Sequence, residues 1–357
     1  MLAKISSKYK LIFAVLCWNG WGNKATNMNW YPWLNDAYRQ LIGAYQAGRG
    51  HHALLIHSIA GNGADALSYG MSRWLICQNK DGLKSCGECH SCRLMLAGTH
   101  PDYHVLDVEK GKSTISIDAV RKLTETLSGH AQQNGAKVVA IPNGQALTDA
   151  AANALLKTLE EPSKQTYFLL GCEKPENLLA TLRSRCLTYF LSAPAPEIAL
   201  YWLQKQMPEV NVDDAVTALR LSQDAPIAAL QLLEPQHWQK RTLLCNELEQ
   251  SLRTKDFLRL LPALNTDNAP ECISWLLGLL SDSIKIQQKA SQFCVNQDQI
   301  GRVTLLATTM SSSQLLDLYG KWQDCRHQLL TVPALNQELI LSNQLLQWEA
   351  LFASPSR

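Results

Sequence analysis

The stretch from Lys137 to Cys186 constrains the fold of this chain most strongly. It opens with a short apolar run, 138–141, which predicts a buried strand. An alanine- and leucine-rich segment then continues to Pro162, which disfavours helical geometry in the residue before it and so ends the predicted helix. A second apolar run, 167–170, predicts another buried strand. Strand, helix and strand in this order imply a parallel sheet with a crossover helix.

The segment 147–161 has the spacing of an amphipathic helix. Asp149 is placed to cap its first free amides. Four apolar residues fall on one face: Ala152, Leu155, Leu156 and Leu159. After the second strand, we predict a short helix over 176–182 that runs into Arg183-Ser184-Arg185-Cys186, followed by a strand over 187–190.

Two sequences in this stretch identify a family. Residues 154–162 read Ala-Leu-Leu-Lys-Thr-Leu-Glu-Glu-Pro, and Ser184-Arg185-Cys186 follows them. The pair at this spacing resembles the clamp-loader branch of the AAA+ ATPases. The resemblance implies an α/β domain with a RecA-like parallel sheet, a small helical lid domain and a C-terminal all-α collar domain. It is most specific over 77–102 and 148–186.

The resemblance places the AAA+ domain at 28–193, the lid domain at 194–235 and the collar domain at 236–357. Past Pro194 and Pro196 the sequence changes from strand and helix patterns to helical patterns alone. From residue 236 onward, three glycines remain and apolar residues recur at helical spacing, which predicts about five helices. Without the resemblance, this last region fits any helical bundle.

Residues 1–27 precede the family pattern. Their lysines and the apolar run 11–18 mimic a secretory signal peptide, but the run is too short to span a bilayer. No small-x-small cleavage site is obvious after it, and Met28 opens what looks like a natural start of the first domain. We interpret 1–27 as an upstream start or an extension without function, because secretion would conflict with the rest of the chain.

The overall composition narrows the classes of function. The 357 residues suffice for two or three domains, and 46% hydrophobic residues support real cores. A net charge of +2 is too small to indicate direct nucleic-acid binding. The eleven cysteines do not form a secreted disulfide pattern, so we expect a reducing, cytoplasmic location with no membrane partner.

Four of these cysteines cluster within 16 residues: Cys77, Cys86, Cys89 and Cys92. Their spacing suits tetrahedral zinc, and four thiolates leave no open position for catalysis, so we predict a structural site. Free or disulfide-bonded cysteines are the alternative, and His90 could compete as a ligand. The resemblance agrees with zinc, since bacterial clamp-loader subunits carry a four-cysteine module inserted after the first helix.

Residues 58–65 lie where a phosphate-binding loop belongs, between a predicted strand at 53–56 and a predicted helix at 66–77. The working pattern is Gly-x-x-x-x-Gly-Lys-Ser/Thr. Three positions depart from it: Ser58 replaces the first Gly, Ala64 the Lys and Asp65 the hydroxyl residue. The lysine would neutralise phosphates, whereas a carboxylate repels them. We interpret Gly61 and Gly63 as a tight turn kept for its backbone geometry, and expect no bound ATP.

A second catalytic element is also missing. The resemblance implies Asp-Glu after the strand 138–141, for Mg²⁺ and the attacking water, but Pro142-Asn143 stands there. Elsewhere, we do not interpret His100 and Asp102 as a catalytic pair, because the proline between them favours a turn or loop.

The resemblance then implies the role of the chain. It is closest to a clamp-loader subunit that does not hydrolyse ATP, a rigid stator beside the delta and ATPase subunits of a five-membered ring. Such a complex belongs to a DNA polymerase assembly, opens the sliding clamp and loads it onto primed DNA. Arg185 would supply an arginine finger in trans, with Arg183 as the weaker candidate. The alternative for Arg185 is an ordinary surface salt bridge.

Two other functions remain open from the sequence. An active ATPase subunit of the same loader would bind ATP stoichiometrically. The missing phosphate-binding lysine, Mg²⁺ hydroxyl and acidic pair argue against this alternative. A zinc-dependent nucleic-acid-binding module would bind DNA in a salt-sensitive manner, but the cluster has only Lys80, Lys84 and Arg93 as basic neighbours.

Overall fold

The structure is a computed structural model that describes residues 29–332 and 334–353. The extension predicted for 1–27 lies outside the described residues. The chain divides into two compact units, one ending at Pro194 and the other beginning at Ala195. Within the described ranges, no helix combines the length and apolarity needed to cross a membrane.

A five-stranded parallel sheet forms the centre of the first unit, as the sequence predicts. Its order is β2-β3-β4-β1-β5. Central strand β4 pairs with both β1 and β3. The bounds are β1 Ala53–His57, β2 Tyr103–Val105, β3 Lys137–Ile141, β4 Thr166–Cys172 and β5 Leu187–Phe190.

Six helices accompany this sheet in the described part of the unit: α1 Leu34–Gln46, α2 Ala64–Ile76, α3 His90–Ala97, α4 Ile117–Ser128, α5 Asp149–Glu160 and α6 Ala180–Arg183. Two buried cores lie on its two faces. Val139 and Phe168 pack with α4 and α5, whereas Val138 and Leu169 pack with α1 and α2. Because side chains alternate along a strand, strands covered on both faces are apolar throughout.

The cap of α5 differs from the sequence prediction. Thr148, not Asp149, is the N-cap, and its side chain accepts a hydrogen bond from the amide of Ala151 at 3.2 Å. Asp149 is instead the first helical residue. Its negative charge there still favours the helix, because it lies at the positive end of the helix dipole.

Two other boundaries also shift. The predicted helix 176–182 is split into a 3₁₀ turn, Pro175–Asn177, and α6. Helix α2 begins at Ala64, two residues before the prediction, directly after the left-handed Gly63.

The second unit is all-helical in its described residues. It comprises α7 Pro196–Gln206, α8 Val212–Leu221, α9 Pro226–Leu232, α10 Pro235–Thr254, α11 Leu261–Leu264, α12 Ala269–Gln287, α13 Ile300–Thr309, α14 Ser312–Thr331 and α15 Gln337–Ala353. Helices α7 to α9 pack together, and we call them the lid helices because the resemblance places a lid domain at 194–235. The remaining helices form the C-terminal helical domain, in which five have ten residues or more, in agreement with the sequence.

A buried ion pair joins helices of this second unit. The Arg241 guanidinium, 1% exposed, donates to both carboxylate oxygens of Asp298 at 2.6 and 2.9 Å. It also donates to Asn296 at 2.8 Å and lies over the ring of Trp238. The amide of Asp298 donates to the hydroxyl of Thr217 in α8. One buried charge pair therefore links the lid helices to the C-terminal helices.

We expect Gly171→Ala to destabilise the first unit. A Cβ at Gly171 would lie 2.1 Å from the carbonyl oxygen of Pro142, a backbone atom that cannot rotate away. Overpacking of this kind costs about 1–3 kcal/mol or more. Urea unfolding followed by circular dichroism measures the change. The control is Gly43→Ala in α1, where a Cβ meets nothing within 4 Å and should stabilise by up to about 1 kcal/mol; equal stabilities for the two variants would contradict the prediction.

Candidate functional site

The four predicted cysteine ligands come together at the end of α2 and the start of α3. Their sulfur atoms all lie within 4.8 Å of one another, so the cluster could hold a metal ion. The Sγ atom of Cys86 is 3.6 Å from that of Cys77 and 3.9 Å from that of Cys92. Tetrahedral coordination with metal–sulfur bonds of about 2.3 Å requires sulfur atoms about 3.8 Å apart. The observed separations fit a four-sulfur metal site, and His90 is not part of it.

Backbone amides surround the sulfur atoms. The amide of Cys86 donates to Cys77 Sγ at 3.3 Å, that of Cys89 to Cys86 Sγ at 3.3 Å, and that of Cys92 to Cys89 Sγ at 3.4 Å. Burial raises the pKa of Cys77 and of Cys92. At Cys89 burial acts in the same direction, but donated hydrogen bonds outweigh it and lower the pKa to about 6. Burial therefore disfavours the thiolate form of Cys77 and Cys92, and a bound cation would favour it.

The loop between Cys77 and Cys86 is fixed to the α/β unit by its carbonyl groups. The hydroxyl of Tyr38 in α1 donates to Leu83 at 3.0 Å, and the indole of Trp74 in α2 donates to Gly82 at 3.0 Å. Lys80 lies over the Trp74 ring, 5.0 Å from its centroid. The cysteine module is therefore attached to the helices on one face of the sheet.

The degenerate phosphate loop follows β1 and is closed by its own side chains. Asn62 is fully buried. Its amide nitrogen donates to the carbonyl groups of Leu191 and Ser192 at 3.1 and 2.9 Å and to the Ser58 hydroxyl at 3.3 Å. The indole of Trp33 donates to the carbonyl of Asn62 at 2.9 Å. These bonds tie the loop to the segment that leaves β5.

Aromatic rings cover the glycine turn. Gly63 adopts a φ of +89°, and a Cβ there would lie 2.9 Å from the ring of Tyr31. Tyr31 stacks on Trp33 with ring centroids 5.0 Å apart. The exposed carboxylate of Asp65 lies in the first turn of α2, where a phosphate would otherwise be favoured. Burial and the charge of Asp65 raise the pKa of Tyr31.

The carboxyl ends of β3 and β4 are also held together. The carbonyl of Pro142 approaches the backbone at Gly171 so closely that no side chain larger than that of glycine fits there. The side-chain oxygen of Gln145 accepts from the amides of Glu173 and Lys174 at 2.6 and 2.9 Å. The catalytic acids of an ATPase would lie at this edge. Here the uncharged side chain of Gln145 connects the segments that follow β3 and β4.

Arg185 lies at the other edge of the sheet. It precedes the first residue of β5, whereas the loop containing Asn62 follows the last residue of β1, and the two strands are parallel. With a rise of about 3.3 Å per residue, the four residues of β5 separate the two edges by about 13 Å. Arg185 forms an ion pair with Glu160 at the end of α5, and Arg183 donates to the carbonyl of Pro175 at 3.2 Å.

His100 and Asp102 have structural roles. The carboxylate of Asp102 accepts from the amides of Gln132 and Gln133, both at 2.8 Å. His100 Nδ1 accepts from the amide of Asp102 at 3.1 Å, and burial lowers the pKa of His100. Both side chains organise the turn before β2, and the turn itself was expected from the proline between them.

Several residues of these sites were not identified from the sequence. Asn62, Gln145 and Glu160 look like ordinary polar residues along the chain, and their partners are 25 or more residues away. For Asn62, its place inside a glycine turn was the available signal. For Glu160, the signal was its position in the family sequence 154–162.

Comparison with known proteins agrees with this architecture. The family model described as "DNA polymerase III, delta subunit" matches residues 33–195. That described as "DNA polymerase III, delta subunit, C terminal" matches 235–350. Residues 194–234 match "DNA polymerase III subunit delta', AAA+ ATPase lid domain".

Relatives extend over nearly the whole chain. The DNA polymerase III subunit delta' of Yersinia pestis is 55% identical over 92% of this chain and 97% of its own length. That of Escherichia coli (strain K12) is 48% identical over 90% and 96%. Among solved structures, a DNA polymerase III, gamma subunit-related protein from Thermotoga maritima is similar at 18% identity. Its TM-score is 0.43, with 87% of this chain and 99% of that chain covered.

We expect the cysteine cluster to bind one metal ion per chain. Cys86→Ser should lose the ion, because Cys86 Sγ lies within 4 Å of two other sulfur atoms and a serine hydroxyl is a poor replacement for a thiolate. Elemental analysis of protein purified without chelator measures the content. Cys172→Ala, which removes a buried thiol outside the cluster, should keep the ion. Absence of metal from the unaltered protein would contradict the prediction.

Proposed function

Since the chain belongs to the family of DNA polymerase III delta-prime subunits, we propose that it serves the clamp loader as a subunit that does not hydrolyse ATP. It would occupy a five-membered ring with the delta and ATPase subunits. The ring would load the sliding clamp onto primed DNA. The observation that carries the non-hydrolysing role is the closed phosphate loop, held by Asn62 and covered by Tyr31.

The chemistry of the loop supports this role. ATP binding needs a cation beside the β- and γ-phosphates and a hydroxyl for Mg²⁺. Ala64 and Asp65 supply a methyl group and a negative charge instead. At the end of β3, Pro142 has no side-chain ligand for Mg²⁺. An active ATPase subunit is disfavoured on these grounds.

We infer that the metal of the cysteine cluster is zinc. Four sulfur ligands at tetrahedral separations are typical of structural zinc sites, and they leave no position for water or substrate. Bound zinc would cross-link the end of α2 to the start of α3. None of the ten cysteines that the structure describes forms a disulfide, which fits a reducing cytoplasm.

The proposed finger is Arg185. Because it lies at the opposite edge of the sheet from its own loop, it cannot serve a nucleotide there. Its planar guanidinium suits the phosphate oxygens of a neighbouring subunit, and a lysine would not reproduce its fork of donors. A place beside the ATP site of a neighbouring subunit would explain why a subunit with no working ATP site keeps Ser184-Arg185-Cys186.

We expect the isolated chain to bind no ATP at millimolar concentration, and Ala64→Lys alone not to restore hydrolysis. The lysine would replace one missing group, but the Mg²⁺ hydroxyl and both acids would still be absent and the loop would stay closed. Calorimetric titration and a phosphate-release assay measure the two properties. ATP turnover by the Ala64→Lys variant would refute this account of the loop.

We expect Arg185→Ala to slow hydrolysis at one neighbouring site in the assembled ring. An arginine finger contributes roughly 10³–10⁵ in rate, so total DNA-stimulated ATPase should fall in part and clamp loading should fall further. Folding, metal content and ring assembly should stay unchanged. The control is Arg183→Ala, two residues away, which should behave like the unaltered protein. Unchanged rates in an intact Arg185→Ala ring would leave the chain a purely structural subunit.

A further inference from the structure

The ion pair between Arg185 and Glu160 has a defined geometry. Nε of Arg185 donates to Oε1 of Glu160 at 2.7 Å, and Nη2 donates to the same oxygen. Nη1 donates to the carbonyl of Thr181, one turn earlier in the chain, at 2.8 Å. Two separate acceptors therefore fix the plane of the guanidinium.

Stability does not account for a glutamate at this position. Glu160 is the last residue of α5, where the negative end of the helix dipole disfavours a carboxylate. The pair is also exposed, with 31% of the Arg185 side chain and 49% of the Glu160 side chain accessible to water. Ion pairs in such surroundings contribute little to folding.

The geometry leaves part of the guanidinium available. An arginine has five N–H donors, and the bonds to Glu160 and Thr181 use three of them. Two donors remain for a ligand from outside the chain. A free arginine side chain loses much rotamer freedom when it binds, and a side chain already held in one orientation loses less.

We propose that Glu160 is a positioning residue for Arg185. Its carboxylate holds the guanidinium so that the two remaining N–H groups face the phosphate of a nucleotide bound by the neighbouring subunit. This inference rests on the proposed role of Arg185 as an arginine finger. Glu160 does not itself touch the nucleotide.

The test uses rings assembled with variant chains. Pre-steady-state ATP hydrolysis is measured with the unaltered chain, Glu160→Ala, Glu160→Gln, Arg185→Ala and the double variant Glu160→Ala/Arg185→Ala. Glu160→Ala should lower kcat at the neighbouring site by roughly tenfold to a hundredfold, the range expected when a reacting group is misplaced by about 1 Å. The KM for ATP, the melting temperature and ring assembly should stay unchanged.

Glu160→Gln separates orientation from charge. The amide oxygen of glutamine can accept the same two bonds, so this variant should hydrolyse ATP at the unaltered rate. The double variant should match Arg185→Ala, because Glu160 acts only through Arg185. Glu161→Ala is the matched control, since Glu161 is the adjacent carboxylate and forms no ion pair within the described residues; it should leave the rate unchanged.

Each outcome decides the inference. If the Arg185→Ala ring is slow but the Glu160→Ala ring hydrolyses ATP at the unaltered rate, the positioning role is overturned and the role of Arg185 as a finger remains. A Glu160→Gln variant as slow as Glu160→Ala, or a double variant slower than Arg185→Ala, also overturns it. An Arg185→Ala ring at the unaltered rate overturns the proposed function itself. If Glu160→Ala does not assemble, a Glu160→Gln ring that hydrolyses ATP more slowly than the unaltered ring overturns the positioning role.

Discussion

The parallel hydrogen bonding of β4 with both β1 and β3 is the interaction on which the α/β unit depends. In a parallel sheet all strands end at the same edge, so the loops after β1, β3 and β4 meet there. An ATPase of this fold uses that edge for phosphate, metal and water. Here the same pairing brings together Asn62, Pro142 and Gln145, none of which carries a charge.

In the proposed ring, the two edges of this sheet would have different roles. The edge that would hold ATP is closed by hydrogen bonds and covered by Tyr31 and Trp33, which suits a rigid subunit. The opposite edge presents Arg185, oriented by Glu160. A subunit with a closed site of its own can still act on a neighbour, because strand direction places the two features on opposite edges of one sheet.

The cysteine cluster holds a segment that has no apolar core of its own. The segment from Cys77 to Cys92 is short and polar, so it cannot bury enough apolar surface to hold itself in place. Two carbonyl groups accept hydrogen bonds from Tyr38 and Trp74, and four sulfur atoms converge at its end. A metal there would replace a hydrophobic core, since binding free energy of a structural metal stabilises the fold directly.

The parallel sheet, the helical second half, the four-cysteine cluster and the loss of the phosphate-binding lysine can all be predicted from the sequence. These follow from local properties: apolar periodicity, ligand spacing and residue chemistry at one position. The hydrogen bonds of Asn62 to Leu191 and Ser192 and the ion pair between Arg185 and Glu160 become visible in the folded chain alone. Such partners depend on strand order, which places β1 beside β5 although more than 120 residues separate them. Local patterns set which elements form, whereas the order of strands sets which side chains meet.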